Sequence, residues 1–172
     1  YTSGIKFSNV YKLPSTESDT QSNYLSIGLS QQMFTPLDTN ATQLITDDRP
    51  YAGWLYVAIG YHQRSANELN SWTLQAGVVG PYSLAEESQN SIHELRGLDL
   101  SNGWANQLHN EFGLNLMYQH KWKYTYDIFY GMKTNIIPFV SVSLGNIHTF
   151  ARVGTLFRLG HNPANDFGSS SL

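Results

Sequence analysis

Leu55-Tyr56-Val57-Ala58-Ile59-Gly60-Tyr61-His62 alternates without a break. One side of this extended stretch carries Leu55, Val57, Ile59 and Tyr61, and the other carries Tyr56, Ala58, Gly60 and His62. Period two marks a β-strand, because successive side chains of a strand point to opposite faces. The pattern recurs where Leu25, Ile27 and Leu29 interleave with Ser26, Gly28 and Ser30. It recurs again where Ala151, Val153, Phe157 and Leu159 oppose Arg152, Gly154, Arg158 and Gly160. An apolar face backed by small and polar residues fits a strand with lipid on one side and a wet lumen on the other. It also fits a soluble barrel.

Working outward, the patterning predicts about seven strands, over 2–11, 24–34, 52–65, 68–80, 113–123, 126–143 and 149–160. Ala66-Asn67 and Tyr124-Thr125 read as tight turns, whereas 35–51 and 81–112 are long connections. In an up-and-down meander successive connections fall at alternate ends, so the two long loops share one rim and the two tight turns the other. Outer-membrane barrels keep short turns on the periplasmic side and long loops outside; the 12–23 connection is longer than that rule prefers. Trp72, Trp122, Tyr124 and Tyr126 gather at the tight-turn rim and Tyr51 and Trp54 at the other, as two interfacial girdles would. The fold class expected is therefore all-β, an antiparallel up-and-down transmembrane β-barrel with a short helix in a long outer loop. The chain starts at Tyr1 and stops in the loop-like run Asn165-Asp166-Phe167-Gly168-Ser169. The expectation is one partial barrel domain over 1–172, truncated at both ends.

Composition agrees with that class. Of 172 residues only 13% are charged, and 13% are aromatic, against about a quarter charged in soluble domains. The mean hydropathy of -0.33 is no obstacle, since only alternate residues of a membrane strand face lipid. No stretch approaches the roughly 18 apolar residues of a membrane-spanning helix. The net charge of -3, without a Lys/Arg run, gives no nucleic-acid surface. The absence of cysteine removes disulfide and thiolate chemistry.

The second long loop carries structure of its own. Ser83-Leu84-Ala85-Glu86 reads as a capping box after Pro81, and Glu86 and Glu87 complement a helix N-terminus. A helix over 84–95 would align Glu86, Gln89, His93 and Arg96 on one face, with Ile92 and Leu95 on another. Asn102-Gly103-Trp104 then opens a shorter helical turn toward Leu108. On that polar face His93 is the leading candidate for chemistry, because an imidazole titrates near neutral pH and can act as general base toward water. A solvated loop histidine is the plainer alternative. Thr2 begins the first strand at the same rim, sharing the lumen side with Gly4, Lys6 and Ser8, although a threonine in a strand is ordinary. Asp48 and Arg49, in Asp47-Asp48-Arg49-Pro50, lie at this rim too. They either position an anionic headgroup or form a local turn-stabilising pair. Gly-x-Ser-x-Gly, His-Glu-x-x-His and a phosphate-binding glycine loop are all absent.

Four segments in order then carry a resemblance: Tyr1-Thr2-Ser3-Gly4, Asp48-Arg49-Pro50-Tyr51-Ala52-Gly53-Trp54-Leu55-Tyr56, Ser88-Gln89-Asn90-Ser91-Ile92-His93 and Gly103-Trp104-Ala105-Asn106-Gln107-Leu108. Together they resemble the outer-membrane lipid A 3'-O-deacylase family over most of the chain. The resemblance implies a barrel of roughly twelve strands, of which this chain would supply about seven. The site would lie between the wall and an outer-loop helix, facing the cell exterior. It implies a calcium-dependent esterase similar to phospholipase A2, in which Ca2+ polarises the ester carbonyl and a histidine activates water. Carried over by motif, His93 is the general base and Thr2 a catalytic-site residue that orients water or substrate. Gln89, Asp48 and Arg49 are expected to position substrate, and Asp99 to be a second oxygen donor to the metal. The partners implied are lipid A or lipopolysaccharide and the outer-membrane lipids, with a monomer when full length.

This chain departs from the family in two places. The Asn-Asp pair associated with the calcium site belongs to a preceding strand, upstream of Tyr1. The basic residue expected in the 35–46 loop is missing, with Ala41 and Thr42 in its neighbourhood. An outer-membrane phospholipase of different specificity, or a non-catalytic barrel, are the competing functions.

Overall fold

The computed structural model describes residues 3–14, 20–161 and 163–168. Among these residues there are eight strands: β1 (Ser3–Lys12), β2 (Ser22–Phe34), β3 (Ala52–Arg64), β4 (Glu68–Val79), β5 (Glu111–Trp122), β6 (Tyr124–Asp127), β7 (Met132–Gly145) and β8 (Phe150–His161). They form one sheet in the order β1-β2-β3-β4-β5-β7-β6, with β8 on the other side of β7. β5 and β6 act as one strand: Lys121 pairs with Phe139 and Tyr124 with Ile136, three residues further on each chain, so the register is unbroken. The one residue between them, Lys123, falls opposite Ile137, next to Pro138, which has no N–H to give to the ladder. The seven expected strands are therefore present as an antiparallel up-and-down meander.

One turn lies further along the chain than the alternation predicts. The strand expected to end before Tyr124-Thr125 runs on to Asp127, and the chain reverses at Phe129-Tyr130-Gly131. There Tyr130 (φ 48°) and Gly131 (φ 74°) both take positive φ, and Met132 N–H donates to Phe129 O at 2.9 Å. Two central residues at positive φ make the kind of turn whose twist suits a hairpin. The alternation of Tyr124 and Tyr126 with Thr125 and Asp127 is simply more strand.

The faces are inverted relative to a water-soluble protein. Val57, Ile59, Phe112, Leu114, Leu116, Val153 and Phe157 are exposed, while Ser30, Lys121, Asn135, Ser141 and Ser143 are buried. Polar inside and apolar outside is the arrangement that lipid demands. No helix among the described residues is long and apolar enough to cross a membrane.

The chain divides into two compact units. One comprises residues up to Ser8, Gly28–Ala58 and Gln75–Leu114, and so holds both long loops. Its core includes Met33, Tyr51, Ala85 and Trp104. The other comprises Asn9–Ile27, Ile59–Leu74 and the chain from Asn115 on, and holds both tight turns. Inside it His62 bridges Ser26 Oγ (2.8 Å) and Ser71 Oγ (2.9 Å). Leu69, Ile137 and Phe167 form a small apolar cluster there, and Arg158 pairs with Asp166. Of the four girdle residues expected in this unit, Trp72, Tyr124 and Tyr126 are exposed, with Trp72 packed on Tyr118 at 4.3 Å, whereas Trp122 is half-buried and packs on His120 at 4.1 Å.

The second girdle is a correction. Tyr51 and Trp54 are 4% and 1% exposed. Trp54 stacks on Tyr56 at 4.0 Å and Tyr51 packs against Trp104 at 4.9 Å. Both rings are covered by neighbouring strand and loop residues and do not face lipid.

Candidate active site

The helix of the second long loop forms as α1 (Ala85–Arg96). It is not started by a capping box. Pro81–Ser83 makes a 3-10 turn, Leu84 is the N-cap residue in the left-handed region, and no side chain caps the helix. Ser83 is fully buried, and its carbonyl accepts a hydrogen bond from Gln31 Nε2 at 2.6 Å. The Ser83 hydroxyl lies against Gly53 and makes no cap hydrogen bond, leaving Glu86 and Glu87 in the first turn to complement the dipole. What seats the helix is Gly53 of β3. A Cβ at that position would stand 2.0 Å from Ser83 Oγ and 2.3 Å from Ala85 Cβ. Only a residue without a side chain lets the start of α1 lie so close to the strand.

From this seat α1 buries Ala85 and Gln89 and leaves Ile92 and Leu95 exposed. The expected polar face of Glu86, Gln89, His93 and Arg96 is thus the side turned partly inward, and the apolar pair looks out. Gln89 is 6% exposed, and its Oε1 accepts from the buried Trp104 indole N–H at 2.8 Å. That oxygen is committed to holding the loop.

His93 lies one turn further on and is half-buried. Its Nδ1 is 2.6 Å from the main-chain carbonyl oxygen of Asp99. A carbonyl can only accept, so in the neutral ring Nδ1 carries the proton and Nε2 holds the lone pair. The connector makes this possible: Leu98 N–H donates back to His93 O at 2.8 Å, closing the helix and bringing the next residue under the ring. Asp99 is exposed, and it meets His93 through its backbone. Among the described residues no group of three or more His, Asp or Glu side chains is gathered as a metal site.

Asp48 and Arg49 are together on the other long loop. Asp48 Oδ2 accepts from Leu37 N–H (2.6 Å) and Oδ1 from Arg49 N–H (2.7 Å). These two amides, Leu37's first, hold its carboxyl below the usual carboxylate range. The Arg49 guanidinium is 3.9 Å from the same carboxylate. Both residues line an open pocket of ≈ 990 Å³ whose wall includes Thr35, Asp38 and Asp47. No hydrogen bond or ion pair among the described residues joins either of them to His93. The local pair foreseen as the plainer alternative is therefore present. Thr2 lies outside the described residues.

Sequence reasoning missed Trp104 and Tyr51 as the clasp of the site. Tyr51 donates to Thr39 O (3.2 Å), Asn102 N–H donates to the same oxygen (2.9 Å), and Leu108 N–H donates to Tyr51 O (2.9 Å). Burial, first of all, raises the Tyr51 phenol above its usual range, so it stays a donor. A tryptophan in a polar loop, next to a glycine, was the available signal: an indole that large is placed there to be buried.

Comparison with known proteins agrees with this architecture. No curated protein matches the chain. Among solved structures it is similar to LpxR from Salmonella typhimurium, with a TM-score of 0.77 and 21% identity. The match covers 92% of this chain and 52% of that one, so the chain spans about half the length of its structural relative. At that identity the likeness concerns the fold, an outer-membrane barrel wall. The family model described as outer membrane protein LpxR matches residues 1–172. With strands that put apolar residues outward, and a family model matched from end to end, the chain belongs to the LpxR family of outer membrane proteins.

Proposed function

We propose that this chain carries the base-bearing part of an outer-membrane ester hydrolase that removes a 3'-linked acyloxyacyl chain from lipid A. The reading places the site at the cell exterior and has the full-length protein act as a monomer on lipopolysaccharide. One observation carries the chemistry: His93 Nδ1–H is engaged by the Asp99 carbonyl, which leaves Nε2 as the acceptor. A water beside Nε2 gives up a proton as its oxygen attacks the ester carbonyl. The carbonyl carbon–oxygen bond to the sugar then breaks, the 3'-hydroxyl leaves with a proton, and the acid departs. The Asp99 carbonyl stabilises the imidazolium formed on the way.

Family membership supports the substrate class, and the burial of Gln89 and Trp104 supports a rigid platform under His93. Thr2 is proposed to orient water or substrate, and Arg49, on its pocket wall, to meet an anionic headgroup. Calcium is proposed on the resemblance alone. The described residues do not by themselves assemble a site that fits the ion, and Asp99 could offer one exposed carboxylate. When bound, a divalent cation would polarise an ester carbonyl; no step above is routed through it. Turnover of lipid A in ¹⁸O-labelled water tests the reaction. One label is expected in the released acid and none on the sugar, with turnover lost in His93→Ala and in excess chelator. Label on the sugar hydroxyl, or full activity without His93, contradicts the proposal.

A further inference from the structure

The connector after α1 is stitched back to the helix at two points. Gln89 and His93 stand one helical turn apart on α1. Asp99 and Trp104 stand five residues apart on the returning chain. Asp99 O takes His93 Nδ1–H at 2.6 Å, and Trp104 Nε1–H gives to Gln89 Oε1 at 2.8 Å. The two rungs are unequal. The first is exposed and competes with water; the second is buried and does not.

Trp104 is in turn immobilised. It is 1% exposed, packs against Tyr51, and shares a cluster with Met33 and Ala85. Gly103 beside it is pressed so near Tyr51 that a Cβ would stand 2.4 Å from Cε2. We propose that Trp104 is a positioning residue for His93. Its buried N–H, acting through Gln89, holds the connector in the register at which the Asp99 carbonyl keeps His93 in the Nδ1–H tautomer. The inference rests on the reading of His93 as general base, and it concerns how that base is kept ready. Trp104 sets the fraction of protein whose Nε2 is an acceptor and leaves substrate affinity alone.

The test removes the N–H and keeps the ring. Trp104→Phe does so approximately. Replacement of Trp104 by 3-benzothienylalanine does so with the two-ring shape retained, and serves if the phenylalanine variant does not fold. Two quantities are read on detergent-solubilised full-length protein whose folding is verified by heat-modifiability. The first is kcat and KM on lipid A. The second is the ¹⁵N spectrum of the His93 imidazole, assigned by difference from His93→Ala. The expected result is a fall of about tenfold in kcat with KM held within about twofold. It is accompanied by loss of the single Nδ1–H form in favour of a tautomer mixture, which a merely structural tryptophan would not produce in the folded fraction. A folded variant with full kcat and an unchanged Nδ1–H signal overturns the positioning role while leaving an inactive His93→Ala to support the base. A lost tautomer with undiminished kcat, or an active His93→Ala, overturns the base itself.

Discussion

Replacing Gly53 by alanine adds one methyl group at the place where α1 meets β3. That Cβ would stand 2.0 Å from Ser83 Oγ and 2.3 Å from Ala85 Cβ. The serine hydroxyl can rotate away, but the alanine methyl is fixed to the helix backbone. Apolar carbons rest about 3.5–4.0 Å apart. The start of α1 must therefore retreat from the strand by about 1.2–1.7 Å. A displacement near 1 Å at a catalytic group costs about a hundredfold in rate, and overpacking of this kind costs about 1–3 kcal/mol in stability. Gly53→Ala is thus expected to fold into the outer membrane and to lose about two orders of magnitude in lipid A turnover. The assay is the rate of 3'-acyl release by purified protein, normalised to the heat-modifiable, folded fraction. Gly160→Ala is the control, because nothing lies within 4 Å of a Cβ there. Undiminished turnover in Gly53→Ala would mean that α1 is not held at this point, and the account of how His93 is placed would fail.

Three further outcomes are expected. Asp48 titrates below the usual carboxylate range when the 35–51 loop is formed, so its folded value lies under its unfolded one. The order it confers is present above about pH 4 and is lost as pH falls through the depressed folded value. Protection of the Leu37 and Arg49 amides against exchange, taken relative to their intrinsic rates, should then hold from neutral pH to about pH 5 and fall only in stronger acid. Asp48→Asn lowers that protection throughout; equal protection in both proteins would exclude the carboxylate as the tie. Val57→Arg puts a charge on the exposed apolar face of β3 and should lower folding stability in lipid vesicles by about 2–4 kcal/mol near mid-bilayer. No change in urea unfolding would place that face away from lipid. Asp99→Ala keeps the main-chain carbonyl that His93 uses, and should leave kcat at saturating calcium within about threefold; a hundredfold fall would assign the work to the carboxylate.

How far the sequence could be read follows from which forces are local. Alternation is a property of neighbouring residues, so the outward Leu55, Val57 and Ile59 and the inward Gly60 and His62 were legible before any pairing was known. So was α1, within a residue at each end, from its composition and spacing. The reversal at Tyr130-Gly131 was missed because tyrosine is not a turn signal, and only the positive φ of both residues marks it. The absent capping box and the buried Tyr51 and Trp54 have a shared cause. Each is decided by what a distant segment packs against: Gly53 by Ser83, Tyr51 by Trp104, Trp54 by Tyr56. His93 stands out on the polar helix face and the resemblance adds the role of base, but the contact of its ring with a carbonyl six residues onward depends on the exact path of the connector. No periodicity encodes that path.

Mass spectrometry of lipid A from Gram-negative cells decides whether His93 is the base of a lipid A deacylase. Cells expressing the full-length protein are compared with cells expressing its His93→Ala variant, both verified as folded in the outer membrane. Lipid A lighter by one acyloxyacyl unit is expected with the parent, and unaltered lipid A with the variant. Loss of that unit in both, or in neither, would rule out His93 as that base.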